Sequence, residues 1–387
     1  MKEIRKIYVV HFLAGLSTAS SVTFTLYFLS HGIDQFQIAQ LFGFFMLALA
    51  LLEIPTGGVA DTFGHKTSVT VGLFFQSVSF LLFFLFPSYW GILSGMLMSA
   101  LGLALQSGAT SSLIYELLKK EHIHQEFKKI YGRANGYFLI AGFVAAPLGS
   151  LVYASYPKVP YFFSFFVLLL SAIVLYTVKW DFIRKSVNFE SYKNTLISGV
   201  MLTLKHKLLI AIVIIGIALT VNRLVFNQNI SQPYLVGIGV DVAYIGFIAA
   251  GISAILAFIS IYSYKIAEKI GTNASLLLII ILPSIAVFIL GLINNMLALA
   301  IILFLVVGHA FRDPVVTHIV HEELDSEKRG TMASTMSFLT GIVGSVMLPF
   351  FGAGIDTFGM HTTLFLLGIF TFVIGGIGFI VFTYKKA

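Results

Sequence analysis

Apolar residues in this chain gather into twelve long runs, at about 7–29, 38–60, 67–86, 90–117, 134–156, 160–180, 208–230, 239–265, 273–293, 296–317, 331–353 and 361–384. Each run reaches or approaches the ~20 residues that carry a helix across a hydrocarbon layer about 30 Å thick. None shows the strict apolar–polar alternation of a barrel strand, so the pattern predicts helices throughout. The expected fold class is therefore an all-α integral membrane protein with twelve transmembrane helices, joined mostly by short connections between antiparallel neighbours.

Composition agrees. Of 387 residues, 58% are hydrophobic and 11% charged, against roughly 25% charged in an ordinary soluble domain. There is too little polar surface to cover a water-soluble fold. The absence of cysteine removes disulfides, thiolate metal sites and a Cys nucleophile from consideration. Met1 to Lys6 gives a basic flank like that of a signal peptide, but the run after it is too long and lacks a small-residue cleavage site, so a retained first span is expected.

The net charge of +7 follows topology and does not indicate nucleic acid. When the connections are counted alternately, Lys and Arg crowd the side that holds both termini, while Lys158 stands alone on the other. By the positive-inside rule both termini are cytoplasmic. The count of twelve and this bias support each other, because one span more or fewer would scramble the charges.

The longest connection divides the chain into residues 1–180, a connector at 181–207, and residues 208–387, with six spans on either side. Phe189, Tyr192, Leu196, Val200 and Leu204 recur at helical spacing beside Lys193, Lys205 and Lys207, which suits a helix lying on the inner membrane face; a plain tether is the alternative. A short motif also repeats: Ala60-Asp61-Thr62-Phe63-Gly64 after span two, Ala267-Glu268-Lys269-Ile270-Gly271 after span eight, and Asp356-Thr357-Phe358-Gly359 after span eleven. The first two occupy equivalent places in the two halves. Duplicated halves with a site between them are a transporter plan.

At these residues the chain resembles a family. Gly57-Gly58-Val59-Ala60-Asp61-Thr62-Phe63-Gly64-His65-Lys66 is similar to the Gly-x-Leu-Ala-Asp-Arg-x-Gly-Arg-Lys loop between spans two and three of the major facilitator superfamily. Leu52-Glu53-Ile54-Pro55-Thr56-Gly57, the stretch from Ser107 to Glu116, and Gly132-Arg133 further resemble bacterial drug-efflux-like members, the drug/proton antiporters. The resemblance implies two pseudo-symmetric six-helix bundles, the major facilitator fold. It also implies a conformational latch formed by Gly57, Asp61, Gly64, His65, Lys66, Glu116, Arg133, Glu268 and Gly271. Thr62 stands where the family carries a basic residue and His65 where it carries Arg, so this latch is expected to be weaker, or sensitive to pH. A simple tight turn with Gly64 at positive φ is the plainer reading. Span five holds Gly136, Gly142, Ala146, Pro147 and Gly149, a partial match to the glycine-rich helix of exporters; close helix packing explains small residues equally well.

Charges at membrane depth are functional candidates by default. Arg223 lies deep in span seven among Asn222, Asn227, Gln228 and Gln232, and is read as a substrate-contacting or gating cation, or as one member of a structural pair. Span ten offers His309, Arg312 and Asp313, with His309 able to share a helix face with either neighbour. Arg312 and Asp313 could instead cap the inner gate. Glu53 precedes Pro55, which can open a local kink, so a carboxylic acid there could carry a proton or hold a neighbouring helix. Glu53, His309 and Asp313 are the candidate proton sites. Arg223, Asn222, Asn227, Gln106, Thr110 and His309 are the candidate substrate contacts. Thr18, Ser21 and Thr25 in span one, and Gln106, Thr110 and Ser111 in span four, recur at helical spacing as cavity-facing stripes would. With 38 Phe and 16 Tyr, an aromatic cavity hospitable to amphipathic ligands is expected.

The chain has no Walker loop, no His-Glu-x-x-His and no Gly-x-Ser-x-Gly, so neither ATP hydrolysis nor common hydrolase chemistry is indicated. His318, His321 and Glu322 have metal-like spacing but read as a solvated cluster at a wet helix end. The expectation is a secondary transporter, not an enzyme, located in the cell membrane. It would exchange small organic solutes for protons by alternating access, with lipids around it, as a monomer, using no cofactor, metal or nucleic acid. An importer or facilitator of a small anionic nutrient, held by Arg223, is the alternative.

Overall fold

A computed structural model describes residues 2–180, 201, 206–323 and 326–384, and every regular element among them is helical. In hydrocarbon each backbone N–H and C=O must be satisfied inside its own segment, and the helix achieves this. The expected first span is three pieces: α1 (Lys2–Leu16), α2 (Thr18–Ser21) and α3 (Phe24–Ser30), with a 45° bend before the last. Ser17, Thr18, Ser20, Ser21 and Thr23 each donate a hydroxyl to a carbonyl three residues back, at 2.7–3.2 Å. Hydroxyls that compete with amides for the same carbonyls bend the helix.

Helix α4 (Gln35–Phe63) carries Pro55 inside it and is followed by α5 (His65–Leu85), α6 (Tyr89–Gln106), α7 (Ala109–Lys120), α8 (Phe127–Ser155) and α9 (Val159–Tyr176). The second half consists of α10 (Lys207–Val225), a π-helical turn (Phe226–Ile230), α11 (Ser231–Gly237), α12 (Val242–Ile270), α13 (Thr272–Leu290), α14 (Ala298–Glu323), α15 (Ser326–Phe358) and α16 (Met360–Thr383). Among the described residues, ten helical stretches are long and apolar enough to cross a membrane, and the bent first pair adds an eleventh. The remaining expected span coincides with α14, whose apolar part, Ala298–Arg312, is shorter. The connector helix expected near 189–205 lies outside the described residues.

The repeated loop motif contracts to a single residue in all three places. Gly64, Gly271 and Gly359 have φ of 91°, 79° and 83° and ψ of 145°, 166° and 162°, a region essentially reserved for glycine. Each glycine amide donates to the carbonyl four residues before it at 3.0 Å, and each glycine carbonyl accepts from the amide four residues after it at 3.0–3.1 Å. The chain therefore changes direction at a single residue whose own amide and carbonyl both stay hydrogen-bonded.

Two compact units result. The first holds the described residues up to Ile33, from Phe44 to 180, and from Asp241 to Ala250; the second holds Asp34–Gly43, 206 to Val240, and the residues from Gly251 onward. Apart from the connector, these units differ from a division at 181–207 in where the beginnings of α4 and α12 fall. In the first unit, Ser150 Oγ donates to the Ala243 carbonyl at 2.8 Å and accepts from the Gly246 amide at 3.1 Å. In the second, the first turn of α4 is held by two carboxylates. Asp34 and Gln37 exchange side-chain-to-amide bonds of 2.7 and 3.2 Å, a reciprocal cap. Asp356, on α15, accepts from the Gln35 and Phe36 amides at 3.3 and 2.7 Å. Negative charge at a helix N-terminus also complements its dipole. The Asp of the third motif copy therefore serves as a cap on another helix.

Small residues of α8 mark close approach. A Cβ on Gly149 would collide with the Ala19 carbonyl of α2, and one on Gly142 would press on Thr18, whereas Gly136 has open space. Packing thus accounts for two of the glycines that the sequence allowed as an exporter signal.

Gly149→Ala should cost about 1–3 kcal/mol of stability from overpacking, while Gly136→Ala in the same helix should be neutral or stabilising by up to ~1 kcal/mol; thermal unfolding of purified protein in detergent measures both. Asp356→Ala should cost about 1 kcal/mol by the same assay, and Asp356→Asn less, because an acceptor oxygen remains.

Candidate functional site

Span four is where the first unit opens a site. Helix α6 ends at Gln106, the chain turns through Ser107 and Gly108 (φ 69°), and α7 begins at Ala109. Beside this break lies a cavity of about 240 Å³, lined by Ile7, Val10, His11, Ala14, Val69, Leu73, Gln106, Thr110, Leu113, Ile114, Asn135, Phe138 and Leu175. Gln106 and Thr110, both candidate substrate contacts, lie on its wall. His11 and Asn135 complete the polar set and were missed. His11 falls at helical spacing with Ile7 and Ala14, which could have revealed it; Asn135 carries no comparable signal.

Hydrogen bonds fix the orientation of these groups. Gln106 Nε2 donates to Gln76 Oε1 and to the Gly102 carbonyl, both at 2.9 Å. Thr110 Oγ1 donates to the Gln106 carbonyl at 3.1 Å. His11 Nδ1 lies 2.9 Å from the Ile7 carbonyl. The other polar stripe behaves differently: Thr18 and Ser21 spend their hydroxyls on the bend of span one, Thr25 is buried, and Ser111 donates to the Gly108 carbonyl.

Glu53 is exposed on α4 and accepts from Ser107 Oγ, at the break, over 3.4 Å. Two residues past it, Pro55 has no N–H for the carbonyl of residue 51. Thr56 then bonds the Leu52 carbonyl at 2.7 Å and the Ala104 carbonyl of α6 at 3.1 Å, tying this part of α4 to its neighbour.

The expected latch residues are partly united. His65 Nε2 stands 3.9 Å from Asp61, and its Nδ1 stands 3.0 Å from Glu116 Oε1, at ion-pair distance though out of line for a hydrogen bond. Lys66 holds its ammonium 5.3 Å from the centre of the Tyr176 ring, a cation–π contact. Gly57 lies within α4 and Gly64 forms the turn. Arg133 and Glu268 are exposed, and neither forms an ion pair among the described residues. Gly271 makes the equivalent turn in the second unit.

That unit presents a second polar region, at the π-helical turn. Such turns are rare and frequent at functional sites. Arg223 and Asn227 are exposed there on an otherwise mostly buried helical stretch. Asn222 belongs elsewhere: it is fully buried, and its Nδ2 donates to Thr371 of α16 at 2.9 Å. His309 on α14 lies within electrostatic reach of Arg223 and Arg312, and both its ring nitrogens are buried without a hydrogen-bond partner among the described residues. The side chains of Asp313, His318, His321 and Glu322 lie outside the described residues.

A sequence profile of the Major Facilitator Superfamily matches residues 7–347. An uncharacterized MFS-type transporter of Methanocaldococcus jannaschii is 23% identical over 357 residues, covering 90% of each chain. The crystal structure of nucleoside transporter NupG is similar with a TM-score of 0.85 at 12% identity, over 99% of this chain and 100% of that one. A bacterial homolog of the human lysosomal transporter Spinster reaches 0.78 at 14% identity, over 99% and 96%. At these identities the likeness to solved structures is one of fold.

A double-mutant cycle with His65→Ala and Glu116→Ala should return a coupling of about 1 kcal/mol in thermal unfolding, as expected for a half-buried pair. The same cycle with Arg133→Ala in place of His65→Ala should return none.

Proposed function

Given that this chain belongs to the Major Facilitator Superfamily and is a multi-pass membrane transporter of a small molecule, we propose that it works by alternating access and exports small amphipathic compounds in exchange for protons. The observation that carries this reading is the cavity at the break in span four: apolar walls with a short set of neutral polar groups, the usual make-up of an organic-ligand pocket. No nucleotide-hydrolysing motif accompanies it in the sequence, so the energy comes from a gradient.

Glu53 is the first candidate proton carrier, because it sits beside the same break with a single weak hydroxyl contact. His309 is the second, since both its ring nitrogens are buried without partners among the described residues; Asp313 is the third. The Asp61–His65–Glu116 cluster supplies the latch at the end of the first unit that carries the N-terminus. Both termini are cytoplasmic in this reading, the membrane is the cell membrane, and the working unit is a monomer.

A second reading has its own observation. Arg223 and Asn227, exposed at the π-helical turn, form a cationic and hydrogen-bonding surface suited to a carboxylate or phosphate. That would make the protein an importer or facilitator of a small anion.

Purified protein in liposomes with an imposed pH gradient separates the two. Export predicts gradient-driven movement of amphipathic compounds that falls at least about tenfold in Glu53→Gln, a loss of about 1.4 kcal/mol in transition-state terms. Movement unaffected by Glu53→Gln, His309→Ala and Asp313→Asn would refute the proton assignment. Anion uptake that depends strictly on Arg223, without movement of amphipathic compounds, would establish the second reading.

A further inference from the structure

The cavity at the break in span four has a hydrogen-bonding polarity that its residues fix. A backbone carbonyl can only accept, so His11 Nδ1, 2.9 Å from the Ile7 carbonyl, carries the proton, and in the neutral ring Nε2 is left as an acceptor. The Gly102 carbonyl likewise fixes the Gln106 amide: nitrogen faces it, both N–H groups are spent on Gly102 and Gln76, and Oε1 is left to accept. Thr110 spends its hydroxyl proton on the Gln106 carbonyl, leaving lone pairs. Only Asn135 keeps a free amide, which can donate as well as accept. The wall therefore offers four acceptor groups against one free donor group, the Asn135 NH2, and it contains no Asp, Glu, Lys or Arg.

We infer that this cavity selects uncharged solutes whose polar edge donates hydrogen bonds, that is hydroxyl or N–H groups on a small apolar or aromatic body. The inference rests on the reading that the cavity takes the transported solute, and it narrows that solute's chemistry. A full charge in this wall would lack a counterion and is disfavoured by desolvation. A ligand rich only in acceptors would face His11, Gln106 and Thr110 without a partner. Phe138 and the surrounding Leu, Ile and Val side chains accommodate the body. At ~30 Å³ of liquid volume per water, 240 Å³ holds about eight waters' worth of solute, or on the order of ten non-hydrogen atoms.

Tyrosol, a phenol bearing a hydroxyethyl arm, has this size and chemistry and belongs to a matched series on one skeleton. Its dimethyl ether keeps the oxygens but removes both donors, tyramine is cationic, and para-hydroxyphenylacetate is anionic. Titration calorimetry on the full chain in nanodiscs should show saturable tyrosol binding, weaker by about tenfold or more for each of the other three. Thr110→Val should weaken tyrosol about tenfold and Thr110→Ser should restore it, which separates a lost acceptor from a folding defect. Gln106→Glu should turn preference toward tyramine. Absence of saturable tyrosol binding, a dimethyl ether that binds as well as tyrosol, a preference for either charged analogue, or an unchanged affinity in Thr110→Val would each overturn the inference. Binding is read apart from transport: tyrosol that binds in this pattern but is not carried into or out of liposomes strikes down the transport reading of the cavity and leaves its selectivity standing.

Discussion

The constraint on which the rest of this structure depends is that a bilayer offers no partner to a stray backbone amide or carbonyl. Where a helix bends in this chain, a side chain can stand in for a missing amide bond. In the first span, five hydroxyls replace it around the bend. At Gly64, Gly271 and Gly359 a glycine-only conformation makes a one-residue corner in which the glycine's own amide and carbonyl stay bonded. Past Pro55, Thr56 bonds the Leu52 carbonyl of its own helix and the Ala104 carbonyl of α6. The site grows out of the same rule, since the break at Ser107 and Gly108 is where polar groups can gather in a protein otherwise made of apolar helices.

This explains which parts of the fold were legible in the sequence. A helix forced to satisfy itself must be long and apolar, so the spans could be read from hydrophobic runs with little ambiguity. The repeated acid-x-x-Gly pattern was legible too, because only glycine occupies that corner cheaply. The bend in span one was not. Its Ser and Thr residues look the same in sequence whether they face a cavity or bond back to their own helix, and only the geometry distinguishes the two. The beginnings of α4 and α12 were likewise invisible, since nothing in a linear pattern says that Asp356 caps Gln35 and Phe36 across more than three hundred residues.

Charge was legible in kind and less so in partnership. His65 stands near Asp61 and Glu116, because the corner at Gly64 and the end of α7 bring them together. Lys66 instead lies against an aromatic ring, a contact that no spacing rule foresees. Asn222 and Arg223 adjoin in sequence, yet a helix turns successive residues by about 100°, so one packs on Thr371 while the other is exposed. His11 escaped notice because a single histidine amid apolar residues more often packs than binds.

The contrast between the two polar regions bears on how a carrier survives between solutes. A transporter must return without cargo, so its site has to be tolerable when no ligand satisfies it. With the first unit's cavity as the proposed solute site, its groups meet that demand already half satisfied: His11, Gln106 and Thr110 each have a protein partner and leave only acceptor lone pairs over. Spare acceptors are the least costly polar groups to leave unpaired. An arginine in the position of Arg223 has no such economy, because an unpaired guanidinium needs water or an anion beside it, and its exposure is consistent with water. A neutral, acceptor-rich pocket thus suits repeated loading and release, whereas a cationic one ties the return step to whatever replaces the anion.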